Sequence, residues 1–230
     1  MWCGAMDQND TILERIAWLK PDKVLEIGCG CGNFTSKLSP YCGKITAIDQ
    51  SSELIDRCRR ENPKPNITYV CMDARNVGYP DTCFDLVCER ASLHHILAWE
   101  RVLNEMARLS SSYILIEEPM DDPRSDAKRN TKRAQKFYLE LQNEVGYSHY
   151  PYINLSSLLG YFRHRGFEFE AKITKSDQPV DFNQYFSAFG NFADKSKRKT
   201  YWYDRLDQLR REYKDKALCE EDVLFISARK

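Results

Sequence analysis

The feature that most constrains the fold is a run of three alternating glycines that directly follows an apolar segment. Residues 24–34 read VLEIGCGCGNF, so Gly28, Gly30 and Gly32 stand between that segment and a short helical pattern. Glycine adopts backbone angles that other residues resist, and it leaves no side chain to block a ligand pressed against the turn. A buried strand that ends in such a turn and continues into a helix is typical of the ligand-binding edge of an open α/β sheet.

Apolar runs with strand character recur about every twenty residues in the first half of the chain, with helical patterns between them. This alternation predicts βαβ units that build a parallel, doubly wound sheet covered by helices on both faces. The second half is less regular and adds helical segments before the last two strands. The predicted strands are Lys23–Gly28, Lys44–Asp49, Ile67–Met72, Phe84–Cys88, Tyr113–Ile116, Phe167–Thr174 and Asp222–Ala228.

Acidic residues end the second and third predicted strands. Asp49 follows the glycines by about twenty residues, where a carboxylate can accept hydrogen bonds from both hydroxyls of a ribose. Asp73 can accept from an exocyclic amine, so ribose and adenine together form a coherent ligand. The pattern departs from the dinucleotide motif because Asn33 stands where the third glycine of G-x-G-x-x-G would be. A nicotinamide-dependent oxidoreductase is therefore disfavoured.

Together the E-x-G-x-G-x-G turn and the two acids resemble the class I S-adenosylmethionine-dependent methyltransferases, of the small-molecule type 11 kind. The resemblance covers about residues 22–116 and the two closing strands. It implies a mostly parallel, seven-stranded Rossmann-like sheet whose last strand is antiparallel, and S-adenosylmethionine as cofactor, with S-adenosylhomocysteine as product. The cofactor-binding residues that it implies are Glu26, Gly28, Cys29, Gly30, Gly32, Asp49, Gln50, Asp73, Ala74, Glu89 and Arg90.

Residues near the ends of later strands are candidates for catalysis and for substrate contact. His94 and His95 follow the fourth strand, and with His149 they could accept a proton from a hydroxyl or ammonium substrate. The alternative is that the first two histidines only pack and cap. The chain is predicted to be a single domain, 1–230, whose insertions at about 120–152 and 180–218 form a substrate lid. Candidate substrate contacts there are Tyr147, Tyr150, Tyr185 and Phe189, although the last two could equally belong to a helix core.

The composition of the chain disfavours several other classes of protein. The 34 Lys and Arg residues balance 34 Asp and Glu, so no net charge drives the chain toward nucleic acid or an anionic membrane. Neither a membrane-spanning run nor a secretory signal is recognisable. Nine irregularly spaced cysteines are typical of reduced thiols, and the C-x-C pair lacks metal-knuckle spacing. We expect a cytoplasmic protein without a metal site.

The sequence thus predicts methyl transfer to a small molecule by in-line displacement. Two alternatives remain open. One is an RNA or protein methyltransferase that uses the basic faces, and the other is a methyltransferase-like binding module without catalysis. The default interpretation of the basic residues is a solvated helix face. The residues of the first face are Arg124, Lys128, Arg129, Lys132, Arg133 and Lys136.

Overall fold

A computed structural model describes residues 11–120 and 124–230, apart from the side chain of Ala188. Its strands are β1 (Lys23–Ile27), β2 (Lys44–Asp49), β3 (Ile67–Cys71), β4 (Phe84–Arg90), β5 (Ser110–Met120), β6 (Glu168–Thr174) and β7 (Asp222–Arg229). Its α-helices are α1 (Thr11–Leu19), α2 (Asn33–Leu38), α3 (Ser52–Glu61), α4 (Trp99–Leu109), α5 (Asp126–Glu144), α6 (Leu155–His164), α7 (Phe182–Ala193) and α8 (Lys199–Tyr213). Asn and Asp are favoured helix caps, so the sequence predicts that Asn9 or Asp10 caps α1; both residues lie outside the described part of the chain.

The seven strands form one sheet in the order β3-β2-β1-β4-β5-β7-β6. The pairs β1–β2, β1–β4, β2–β3 and β4–β5 are parallel, and the last strand of the chain, β7, is antiparallel. The predicted doubly wound, mostly parallel sheet is therefore confirmed. β5 is longer than predicted at both ends, because polar residues on either side of its apolar centre also belong to the strand.

The chain divides into two compact units. The sheet unit contains the described residues up to Glu118, together with Ile153–Ile173 and Leu224–Lys230. Val24–Ile27 of β1 are all buried, as expected of a central parallel strand covered on both faces. Side chains of α1, α3 and β4 pack in the same core, among them Ile12, Ile55 and Leu86. This core fixes the carboxyl ends of β1, β2 and β4, from which the candidate site is built.

The helical unit contains Pro119–Tyr152 and Thr174–Val223. In its core α5, α7 and α8 contribute aromatic side chains. The ring of Phe137 lies 5.7 Å from that of Phe189 and 5.4 Å, edge-on, from that of Trp202. Such close aromatic pairs bury large apolar surfaces, so the unit has an apolar core of its own.

The helices of residues 11–120 and 124–230 include none that combines the length and the hydrophobicity needed to cross a membrane. Every cysteine in that part of the chain is a free thiol.

Candidate functional site

The glycine turn between β1 and α2 has left-handed backbone at all three glycines, with φ of 68° at Gly28, 54° at Gly30 and 77° at Gly32. L side chains rarely adopt such angles, which explains the alternating pattern. Side chains from α3 and the residue after it hold the turn from outside. The Cys58 thiol lies 3.2 Å from the Gly30 carbonyl, and the Asn62 amide donates to the Cys31 carbonyl at 2.9 Å.

Gly28 is required for a second reason, which is a close approach of the loop after β4. A Cβ atom at this position would lie 2.4 Å from the Cβ of Ser92. The Ser92 hydroxyl is 3.3 Å from the Ile27 carbonyl, and the preceding Ala91 has a left-handed φ of 52°. The loop that carries the two candidate histidines is therefore packed directly against the glycine turn.

Asp49, at the end of β2, holds the turn in place. Its Oδ2 accepts a hydrogen bond from the backbone N–H of Gly30 at 2.9 Å, and its Oδ1 accepts from that of Ser51 at 2.9 Å. Ser51 in turn caps α3. A carboxylate offers about four lone pairs, so two remain for a ligand after these bonds. The neighbouring Gln50 is exposed, whereas Cys29 is buried in the turn.

Asp73 lies after β3 and is paired with Arg75. The guanidinium donates from Nε to Oδ1 at 2.9 Å and from Nη2 to Oδ2 at 2.6 Å. These hydrogen bonds lower the pKa of Asp73. Ala74 beside it is buried. The arginine was not part of the predicted site, although it stands only two residues from the acid.

Glu26 of β1 is a buried acid immediately before the turn, with 2% of its surface exposed. Burial raises its pKa to about 7, against the opposing effects of the Thr35 hydroxyl and the Arg90 guanidinium. Its Oε2 has no hydrogen-bond partner within the described part of the chain. Leaving a buried carboxylate oxygen unpaired is costly. A cationic ligand group would satisfy it, and in this respect the residues present fit the predicted cofactor.

A cluster of acids and a histidine lies at the carboxyl ends of β4 and β5. Glu118 accepts from the Leu93 backbone N–H at 2.9 Å, and its Oε2 lies 2.7 Å from His94 Nδ1. Glu89 accepts from the backbone and the hydroxyl of Ser92, at 3.1 Å and 2.8 Å. The His95 ring lies 4.2 Å from that of His94. Burial lowers the pKa of His94 to about 4, so its ring is neutral at neutral pH.

Glu118 was not among the predicted site residues. A signal was nevertheless present, since two adjacent acids directly follow the apolar centre of β5. Glu117, the first of them, pairs with Arg90, whose Nε lies 2.8 Å from Oε1. These two residues are register partners on β4 and β5. The Arg90 guanidinium also lies 5.0 Å from the centre of the Phe34 ring.

The remaining candidates lie in the helical unit. His149 is buried, its ring Nδ1 contacts the Gln142 side chain, and its backbone is held by Asn143. Phe189 is buried in the aromatic core and stacks on Tyr138 at 4.7 Å.

The three tyrosines predicted to contact substrate differ in exposure. Tyr185 is half-buried, with its hydroxyl near the Thr131 carbonyl. Tyr147 is 43% exposed and contacts Lys195, and Tyr150 is half-buried. The proposed substrate contacts and the lid stay predictions.

One interpretation of the sequence needs correction. Lys128 does not lie on a solvated basic face, because its side chain is only 4% exposed and donates to Asp222 Oδ1 at 2.7 Å. Arg124 is also paired with this carboxylate. The acid that neutralises them lies more than ninety residues further along the chain, and no local pattern reveals it.

Comparison with known proteins agrees with this geometry. Residues 25–112 match a family described as a methyltransferase domain. Nodulation protein S of Rhizobium tropici is 40% identical over 73 residues, which are 31% of this chain and 30% of that protein. An eEF1A lysine and N-terminal methyltransferase of Xenopus laevis is 34% identical over 100 residues, or 42% of this chain and 14% of that protein. The chain thus spans less than a third of these two relatives.

Among solved structures, the N-methyltransferase NodS from Bradyrhizobium japonicum, in complex with S-adenosyl-l-homocysteine, superposes with a TM-score of 0.56. It is 17% identical, and the match covers 96% of this chain and 84% of that one. At this identity the likeness shows a shared fold.

Proposed function

This chain belongs to the class I S-adenosylmethionine-dependent methyltransferases of the type 11 kind, and from this premise we propose that it transfers a methyl group to a small-molecule acceptor. The observation that carries the proposal is the glycine turn held by Asp49. A left-handed, side-chain-free turn is fixed by a carboxylate that keeps lone pairs for a ligand.

The proposed binding residues divide the cofactor between them. Asp49 would accept from the ribose hydroxyls, and Asp73 with Ala74 would meet the adenine. Glu26 would face the positively charged amino group of the methionine portion, because a cation beside its unpaired oxygen removes the cost of burying a charge there.

When bound, the cofactor supplies a methyl group already activated on a sulfonium, so no covalent intermediate with the protein is needed. The protein aligns the two reactants and excludes water. If the acceptor is an amine or a hydroxyl, one proton must leave it, and His94 lies in the loop packed against the glycine turn.

A small-molecule acceptor is favoured over RNA because part of the basic face is committed internally. Lys128 and Arg124 are paired with Asp222. The other basic residues of α5 belong to a chain with zero net charge, so no excess of positive charge attracts a polyanion such as RNA. A protein acceptor stays an alternative. Turnover measured with a panel of amines, phenols and carboxylic acids, and compared with turnover on unfolded and folded proteins, would distinguish the two kinds of acceptor.

The first test is isothermal titration with S-adenosylmethionine and S-adenosylhomocysteine. In Asp49→Asn one amide oxygen and one amide nitrogen replace the two carboxylate oxygens, so the turn and the ribose lose acceptors together. We expect affinity for both ligands to fall about tenfold or more, which corresponds to roughly 1.4 kcal/mol. Asp56→Asn on α3, an exposed acid paired with Arg59, is the matched control and should bind normally. Absence of binding to the unmodified protein would refute the proposal.

A further inference from the structure

Glu118 stands in an unusual position for a buried acid, because both of its oxygens face the histidine loop. Oε1 accepts from the Leu93 backbone N–H at 2.9 Å, and Oε2 meets His94 Nδ1 at 2.7 Å. The side chains of Glu118 and His94 are only 3% and 6% exposed. Water therefore competes little for this contact, and the contact fixes the orientation of the ring.

The neighbouring Glu89 decides which of the two acids carries the negative charge. Glu89 is fully buried, and its Oε1 has no hydrogen-bond partner in residues 11–120 and 124–230. Burial and the nearby Glu118 raise the pKa of Glu89 well above its usual range. Burial also raises the pKa of Glu118, to about 7, but the Glu89 side chain and the backbone N–H of Leu93 oppose this rise. The proton therefore belongs on Glu89 and the charge on Glu118.

An anionic carboxylate can only accept, so it requires a proton on His94 Nδ1. A neutral imidazole carries one proton, and the lone pair is then on Nε2. We propose that Glu118 is a positioning residue that holds His94 as the Nδ1–H tautomer, so that Nε2 receives the proton released by the methyl acceptor. This proposal rests on the proposed function, in which such a proton must leave the acceptor.

The adjacent acid on the same strand shows that the arrangement is specific. Glu117 is also buried, but it is paired with the Arg90 guanidinium, which cannot lose its proton. Glu117 thus neutralises a fixed cation, whereas Glu118 meets a ring whose two nitrogens can exchange roles. The two acids offer a matched pair of variants.

The test is a long-range ¹H–¹⁵N spectrum of the full chain labelled at histidine. The sequence has four histidines, and His94→Gln identifies the relevant signals. The unmodified protein should show a protonated Nδ1 and an unprotonated Nε2 at pH 8. In Glu118→Gln the amide oxygen stays with the Leu93 N–H, its NH₂ group donates to Nδ1, and the tautomer should reverse. Glu89→Gln and Glu117→Gln should leave the tautomer unchanged.

Turnover provides the second readout, with an acceptor found in the panel described above. Glu118→Gln should lower kcat by about a hundredfold, the usual range for losing general-base assistance, with an unchanged Kd for S-adenosylhomocysteine. An Nε2–H tautomer in the unmodified protein, or an unchanged kcat in Glu118→Gln, would overturn the proposal. If the unmodified protein binds no cofactor, the proposed function fails while the tautomer measurement still decides whether Glu118 orients His94.

Discussion

At the scale of single residues, the candidate site contains groups that weaken the fold, and Glu26 is the clearest. Its pKa rises from the ordinary value of 4.5 to about 7 because the charged form loses its hydration on burial. The native state therefore binds a proton more tightly than the unfolded chain does. This contribution to stability is present below about pH 4.5 and is lost as the pH rises through about 7.

Replacing Glu26 with Gln removes that titration. We expect the free energy of unfolding of Glu26→Gln to exceed that of the unmodified protein by up to about 3 kcal/mol at pH 8, and to match it near pH 4. Urea unfolding at both pH values measures the difference. Glu53→Gln, at an exposed glutamate, is the control and should change the free energy of unfolding at pH 8 much less than Glu26→Gln does. A variant destabilised at pH 8 would contradict this account. Weaker cofactor binding by Glu26→Gln would explain why a destabilising acid is present at this position.

Gly28→Ala should be harmful for two physical reasons. A side chain at a φ of 68° is strained, and its Cβ would overlap Ser92. Strain and overpacking together should cost about 3 kcal/mol, measured by urea unfolding, and cofactor affinity should fall as the turn shifts. Gly78→Ala is the control, since nothing lies within 4 Å of the Cβ that it would add. Equal free energies of unfolding for the two variants would show that the turn can accommodate a side chain at position 28 and would contradict this prediction.

At the scale of elements, α5 is attached to the start of β7 by a buried charge cluster. Asp222 accepts from Lys128 and from the Ser176 backbone, and it is also paired with Arg124. Burial alone would raise the pKa of Asp222, but these hydrogen bonds outweigh it and lower the pKa to about 2. The stabilisation is thus present above about pH 4 and is lost as the pH falls through about 2.

Asp222→Asn leaves the Lys128 ammonium buried without its counter-charge. Breaking a buried pair in this way should cost about 3–5 kcal/mol in unfolding free energy at pH 7. Thermal or urea unfolding followed by circular dichroism measures the loss. The matched control is Asp177→Asn, because Asp177 pairs with the same Arg124 but is 77% exposed. A similar effect of both variants would argue against a special role for the buried acid.

At the scale of the whole molecule, the sheet was predictable from sequence because most of its strands contain a local apolar run between breakers. The cap of α3 at Ser51 and that of α6 at Asn154 are equally local, since a Ser or Asn side chain binds backbone N–H groups two or three residues further along the chain. The glycine turn could be recognised because its residues are contiguous. The fold, and the residues proposed to bind the cofactor, therefore follow from short segments of the chain.

What could not be predicted depends on residues far apart in sequence. Glu118 meets His94 across 24 residues, and Lys128 meets Asp222 across 94. Strand register and helix packing bring such pairs together, and the composition of the chain does not reveal them. The longer β5 has the same origin, since this strand lies between β4 and β7 in the sheet and is not limited to its own apolar residues.

The two backbone hydrogen bonds of Asp49 have a consequence for how a ligand is received. Because the carboxylate is already tied to Gly30 and Ser51, the turn and its acid are ordered during folding and not at the moment of binding. The conformational entropy of the turn is therefore lost on folding. A cofactor that binds to this preorganised turn loses mainly its own translational, rotational and conformational freedom. The rate of association should accordingly be set by diffusion and access, with no slow rearrangement of the turn.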